Sequence, residues 1–232
     1  MNDLGTYDEI VELSGIKIPF YPSIFTQNIA KAVRAGHYEG KEAREIVRII
    51  QDDERVLELG AGIGYISSLI AKDPRTQAVR TYEANPQLLP VIQEVHALND
   101  VTNVEVINEI LSNDLRAPSV KFYIRHDFWA SSMLEKPWKY KQAIDVPVSS
   151  FSGVVESFRP TLIVCDIEGG ELDLFRNANL EGVKKVYVEL HQKVLGRRGM
   201  KEVFDVMSAR GFHYDQHHSH GSVVLFSHVD RT

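Results

Sequence analysis

Four apolar segments of this chain each end in an acid: VLELG at Glu58, RTYEA at Glu83, LIVCDIEG at Asp166 and VYVELH at Glu189. The third continues as LIVCDIEGGELDLF and places Asp166, Glu168 and Glu171 within six positions. Buried carboxylates are costly unless they are paired, hydrogen-bonded or functional. Gathered at one edge, they could attract a cation, accept hydrogen bonds from hydroxyls or take a proton from a reacting group. His191, two residues past Glu189, adds a group that also transfers protons.

The elements that must position these residues alternate. Helical patterns lie within residues 22–36 and 40–54, then strands near 55–60, 78–84, 103–111, 161–169 and 183–190 are separated by helices near 67–72, 86–98, 171–177 and 201–210. FHYDQHH and SVVLFSH close the chain as a hairpin turning at His220-Gly221. Strands alternating with helices imply a mostly parallel sheet covered on both faces, with ligands beyond the carboxyl ends of its strands. The expected organisation is a single domain: a helical cap over residues 1–54, and a Rossmann-like core over 55–232 with an insert at 119–150.

Gly60-Ala61-Gly62-Ile63-Gly64 lies between a strand and a helix, where glycines let a ligand approach the backbone. Its G-x-G-x-G spacing is one residue short of the dinucleotide fingerprint. Glu83 follows Gly64 by 19 positions, where an acid on the second strand can hold a ribose diol. Both features fit NAD and S-adenosylmethionine. Glu58 separates the two, because a carboxylate there opposes a pyrophosphate and favours an ammonium and a sulfonium. A hydrogen bond to a charged group contributes roughly 1.5–3 kcal/mol.

VLELGAGIGY, TYEANPQLL, and LIVCDIEGGELDLF followed by VYVELH resemble the FkbM-type S-adenosylmethionine-dependent methyltransferases, over about residues 38–226. The resemblance implies a class I methyltransferase fold: α/β, with a seven-stranded, mostly parallel sheet, one antiparallel C-terminal strand and helices on both faces. It implies O-methylation of a hydroxyl on a sugar, glycan or secondary metabolite. Carried over by motif, Glu58, Gly60, Ala61, Gly62 and Gly64 hold the methionine end and Glu83 the ribose. Ala84, Asn85, Asn108 and Glu109 flank the adenine, and Tyr38 covers the cofactor. Gly170 stands where the family often has Ala or Ser.

Methyl transfer to a hydroxyl is an in-line displacement that also needs a base. Asp166 is expected to orient substrate or cofactor, and Glu168 or His191 to accept the proton. Glu171 reads as a helix-opening acid that complements the dipole. No metal is expected, since no dedicated metal motif is present, although Asp166, Glu168, Glu189 and His191 have the ligand types for Mg²⁺ or Mn²⁺. A nicotinamide-dependent oxidoreductase is the first alternative, opposed by Glu58 and the glycine spacing. A protein that binds S-adenosylmethionine without turnover is the second.

The chain has 232 residues, 44% apolar and 25% charged, with a formal charge of −6. No apolar run is long enough to span a bilayer, no export segment is visible, and Cys165 has no partner for a disulfide. These properties lead us to expect a cytoplasmic enzyme with no membrane partner, and the negative charge argues against nucleic acid. Residues 119–142 stand apart: five basic residues face two acids, interleaved with Phe122, Tyr123, Phe128, Trp129, Trp138 and Tyr140. This stretch is either a packed hairpin with solvated lysines or a lid over the acceptor, whose aromatics would stack on a sugar ring or, as the lesser alternative, on a base. His217, His218 and His220 sit before the final turn, at the ligand edge of the sheet.

Overall fold

The computed structural model describes residues 4–231. Seven strands form the main sheet: β3 (Glu54–Leu59), β4 (Thr76–Tyr82), β5 (Val104–Ile107), β9 (Leu162–Cys165), β10 (Lys185–Glu189), β11 (Phe212–His220) and β12 (Val223–His228). Their spatial order is β11-β12-β10-β9-β3-β4-β5. Pairings from β10 through β9 and β3 to β5 are parallel, and β12 runs antiparallel to both neighbours. The expected α/β Rossmann-like sheet with one reversed strand is what the chain forms. Chain order reverses between β3 and β9, and the crevice beyond their tips is where open α/β sheets bind ligands.

Alternation along the strands divides the apolar residues between two cores. Val56, Leu162 and Val164 face a core shared with α1 (Gln27–Arg34), α2 (Gly40–Ile49), α3 (Tyr65–Lys72) and α4 (Leu89–Leu98). Leu57, Leu59, Ile163 and Cys165 face the other, shared with α5 (Phe151–Phe158), α6 (Glu171–Arg176) and α7 (Gln192–Ala209). At the edge opposite the crevice, buried Glu54 pairs with Lys185 at 2.5 Å and accepts from the Gln51 amide at 2.9 Å. Removing one partner of such a pair costs about 3–5 kcal/mol, so this clamp fixes β3 against β10.

Three sequence expectations change. The segment before residue 54 is not a purely helical cap. It begins with a hairpin of β1 (Ile10–Leu13) and β2 (Ile16–Pro19), turning through Ser14 and Gly15, both at positive φ. Two-residue hairpins favour that geometry. The helix expected over 40–54 stops at Ile49, because Ile50 is extended. The strand expected over 103–111 breaks in two. Asn108 donates its side-chain amide to the Glu83 and Ala84 carbonyls at 2.7 and 3.2 Å, and the chain leaves the sheet there. It continues as β6 (Ile110–Ser112), which joins β7 (Ser119–Ile124) and β8 (Gln142–Ser150) in a second, three-stranded sheet.

That small sheet packs its own apolar cluster, Ile110, Phe122, Ile124 and Val146, against Ala84 at the tip of β4. The 125–141 loop between β7 and β8 is organised from within by Arg125. This residue is 4% exposed and donates to the carbonyls of Tyr123, Ala130 and Leu134. Its charge is spent on loop structure rather than on solvent. Among the described residues, no helix is long and apolar enough to cross a membrane.

Candidate functional site

A cavity of about 840 Å³, part of it open to solvent, lies beyond the tips of β3, β4 and β9. Its floor is Gly60, Gly62, Glu83 and Ala84; Glu109, Asp166 and Glu168 add carboxylates to its walls. Tyr38 comes from the turn before α2, and Phe128, Trp129 and Met133 from the inner loop of the small sheet. The Tyr38 and Trp129 rings stack with centroids 6.3 Å apart and planes inclined by 21°. A mostly apolar concavity with a few convergent polar groups is the expected form of a cofactor pocket.

The glycines are required by the protein's own backbone. At Gly60 (φ +88°) a Cβ would lie 2.0 Å from the Asp166 carbonyl oxygen, and at Gly62 (φ +55°) it would lie 2.7 Å from the Tyr38 hydroxyl. The loop is therefore wedged between β9 and the Tyr38 roof. Glu83, 6% exposed, accepts from the Gly62 and Asn85 amides at 2.9 and 2.7 Å. Burial raises its pKa to about 7 against the opposing pull of those amides. Each carboxylate oxygen keeps a second acceptor site for a ribose hydroxyl.

Of the residues expected to hold the cofactor, Tyr38, Gly60, Gly62, Glu83, Ala84, Glu109 and Asp166 line this cavity. Ala61, Gly64, Asn85 and Asn108 do not; they shape its walls from behind. Gly64 begins α3 against Ile92 and His96, and Asn85 and Asn108 tie down the Glu83 segment. Glu58 also lies outside the large cavity. It alternates with Leu57 and Leu59, so its side chain lies on the opposite sheet face instead of reaching past the tip. It is 1% exposed, accepts from the Thr81 hydroxyl and lines a smaller cavity with Glu39, Glu42, Asp166 and Glu189. Burial first, then the charge of Glu83, lifts its pKa to about 7.

The second set of acids is held by side chains. His191 Nδ1 lies 2.6 Å from Glu171 Oε1, and its Nε2 lies 3.3 Å from Glu168 Oε2 and 3.8 Å from Asp166 Oδ1. Burial alone would lower the His191 pKa, but hydrogen bonds to Glu168 and Glu171 hold it up at about 11. An imidazole with a carboxylate at each nitrogen and a pKa that high carries its proton at neutral pH. It is therefore a poor proton acceptor, which counts against His191 as the expected base. Asp166 is shifted upward, by desolvation and then by Glu189.

Glu171 stands in the first turn of α6, as expected, but its side chain is 0% exposed and is held by His191 and by the Gly169 amide at 2.8 Å. The sequence carries no signal for this, because the contact depends on His191 arriving from the next strand. His218 and His220 turn to Glu45 on α2, at 3.2 and 3.4 Å, and line neither cavity. Trp129 and Phe128, visible in the sequence only as part of an aromatic run, prove to be cavity wall.

Residues 25–121 match a family model described as the TRM5/TYW2 methyltransferase domain. The chain is 32% identical to "Ribosomal RNA small subunit methyltransferase A" of Levilactobacillus brevis over 108 residues, which is 47% of this chain and 33% of that protein. It is 40% identical to the protein of the same name from Alkaliphilus metalliredigens over 67 residues, 28% of this chain and 22% of that one. The chain thus spans a third or less of the length of these relatives. Trm5b from Pyrococcus abyssi superposes with a TM-score of 0.52 at 14% identity, covering 96% of this chain and 56% of that one, which supports the fold. These findings correct two expectations. The matching model is TRM5/TYW2, not FkbM, whose distinctive acid motif at 166–171 lies outside the matched residues. The exclusion of nucleic acid is overturned too, because the curated relatives carry ribosomal RNA in their names. Net charge was the wrong measure, since it averages over a surface on which basic groups can cluster. The coarser expectation holds: this is a methyltransferase domain of the S-adenosylmethionine-dependent class, with S-adenosylmethionine as its cofactor.

Proposed function

We propose that the chain transfers the methyl group of S-adenosylmethionine to a nucleoside in RNA, acting as one catalytic unit in the cytoplasm. The observation that carries this reading is the mouth of the large cavity. There Trp129, 38% exposed, stacks on Tyr38, and the same loop bears exposed Lys136, Trp138, Lys139, Tyr140 and Lys141. Aromatic faces that stack on bases, interleaved with cations that meet phosphates, are what single-stranded RNA requires. The family model and the names of the curated relatives support the same acceptor class.

In this reading Glu83 accepts the ribose hydroxyls, and the glycine loop with Tyr38 encloses the methionine end. Asp166 lies on the wall shared with Glu168 and orients donor or acceptor. Glu168 takes the acceptor proton, and His191 fixes the two carboxylates. Holding acceptor and methyl in line supplies much of the rate.

The test is an acceptor screen. Purified chain and methyl-labelled S-adenosylmethionine are incubated with ribosomal RNA, transfer RNA and a glycan pool stripped of nucleic acid. Label should enter an RNA fraction and be lost on ribonuclease treatment. Label entering only the glycan pool would overturn the reading.

A further inference from the structure

We propose that Asp127 is a positioning residue for methyl transfer: by tying the aromatic loop to α1, it holds Phe128 and Trp129 in place as a wall of the large cavity. The two residues that follow Asp127 line that cavity, and Asp127 itself does not. Its carboxylate reaches across the chain instead. Oδ1 accepts from the Thr26 hydroxyl at 2.5 Å and Oδ2 from the Asn28 side-chain amide at 3.0 Å, partners 101 and 99 positions away. Among the described residues, no other hydrogen bond joins the 125–141 loop to residues 26–34.

Asp127 stands at the N-cap of the short 3₁₀ turn Phe128–Ala130, where an acid commonly accepts from the amides of its own turn, yet it makes no such bond. Both its oxygens go to α1. Burial disfavours its charged form, but the hydrogen bonds from Thr26 and Asn28 outweigh that and hold its pKa below the usual carboxylate value. The anchor is firm: α1 buries Ile29, Ala30 and Val33, and Thr26 accepts from the Ile29 amide at 3.3 Å while donating to Asp127. What the anchor holds is the wall. Phe128 meets Phe25 and Tyr38 edge-on, with ring centroids 6.2 and 6.3 Å apart, and Trp129 stacks on Tyr38. Arg125 organises the loop internally; Asp127 sets where the organised loop stands against α1. A stacking surface ordered in advance spares the acceptor that ordering cost on binding. This consequence for the acceptor rests on the RNA reading above, whereas the placement of Trp129 does not.

The chain has two tryptophans, so a Trp138→Phe background leaves Trp129 as the single indole emitter. In that background Asp127→Ala should at least about double the quenching of Trp129 by acrylamide, as the freed loop opens. Asn28→Ala, which removes one of the two bonds, should act in the same direction by less. Exchanging the pair, Asp127→Asn with Asn28→Asp, re-forms both bonds with the amide and the carboxylate swapped, and should return quenching to the background level. With both tryptophans present, Asp127→Ala should raise the KM for RNA by about three- to tenfold, up to the full stacking loss, with kcat and S-adenosylhomocysteine affinity little changed. General loss of structure would lower kcat and cofactor affinity instead. Quenching unchanged by Asp127→Ala overturns the proposal, and so does an exchanged pair that fails to restore it. A freed Trp129 with an unaltered KM overturns the positioning role. The quenching measurements contain no acceptor, so their failure and failure of the acceptor screen are separate results.

Discussion

The two halves of the ligand edge are built by different means. On the β3–β4 side, Glu83 is held by backbone amides of Gly62 and Asn85, and the glycine loop is wedged against the Asp166 carbonyl. On the β9–β10 side, Glu168 and Glu171 meet the two ring nitrogens of His191, Asp166 lies beside them, and Glu189 accepts from the Ser222 hydroxyl. Backbone donors fix a carboxylate whatever the neighbouring side chains are. Side-chain networks depend on every member and can be worth more than their separate pairs. The cofactor half is therefore rigid by construction, and the acceptor half is the one that substitution can retune.

Breaking the rigid half should have the largest effect. Gly60→Ala puts a Cβ 2.0 Å from the Asp166 carbonyl at a φ of +88°. The strain of that conformation alone costs roughly 1–2 kcal/mol, and the clash displaces a strand. Loss of S-adenosylhomocysteine binding and a markedly lower denaturation midpoint are expected. Gly221→Ala, with φ +66° and nothing within 4 Å, should cost only the conformational part. Equal losses in the two variants would remove the wedge from the argument.

Glu168→Gln tests the acceptor half. Turnover should fall by about 10²–10⁴-fold, the usual weight of a general base, while S-adenosylhomocysteine affinity stays within a few-fold. Full activity would exclude Glu168 as the base. Trp129→Ala should raise the KM for RNA by roughly tenfold, which corresponds to loss of about 1–3 kcal/mol of stacking, and leave cofactor affinity little changed. A weaker cofactor with unchanged RNA binding would move Trp129 to the other half.

The smallest effect is a pH dependence on the cofactor side. With its pKa raised to about 7 by burial, Glu83 is protonated below that value and loses acceptor capacity for the ribose. Cofactor affinity should rise as pH passes upward through 7, by about tenfold per unit at most below it. Glu83→Gln should be weaker throughout and flatter with pH. An unchanged profile in that variant assigns the titration to another group, with Glu58 the first candidate.

The glycine loop, Glu83 and the positions of most strands along the chain were legible because they follow from local rules. Period-two burial marks a strand, and glycine between strand and helix marks a tight loop. Glu58 was noticed because it stands near a strand end, but alternation turns it onto the sheet face and into the smaller cavity. The break at Asn108 was hidden because Ile107 and Ile110 continue an apolar run, and only the bonds from Asn108 to the Glu83 and Ala84 carbonyls divert the chain. Trp129 could be read as aromatic and basic surroundings, yet not as cavity wall, until the small sheet folded over Ala84.

By itself the sequence determined which residues end the strands and which loop must be glycine, since both are properties of a chain with its neighbours a few positions away. Only the tertiary structure decided which carboxylates share a cavity, why His191 keeps its proton and why Glu171 is buried. Those outcomes depend on distances between strands 20 or more positions apart in the chain, as His191 and Glu171 are. Charges interact through space, and only the assembled sheet sets that space.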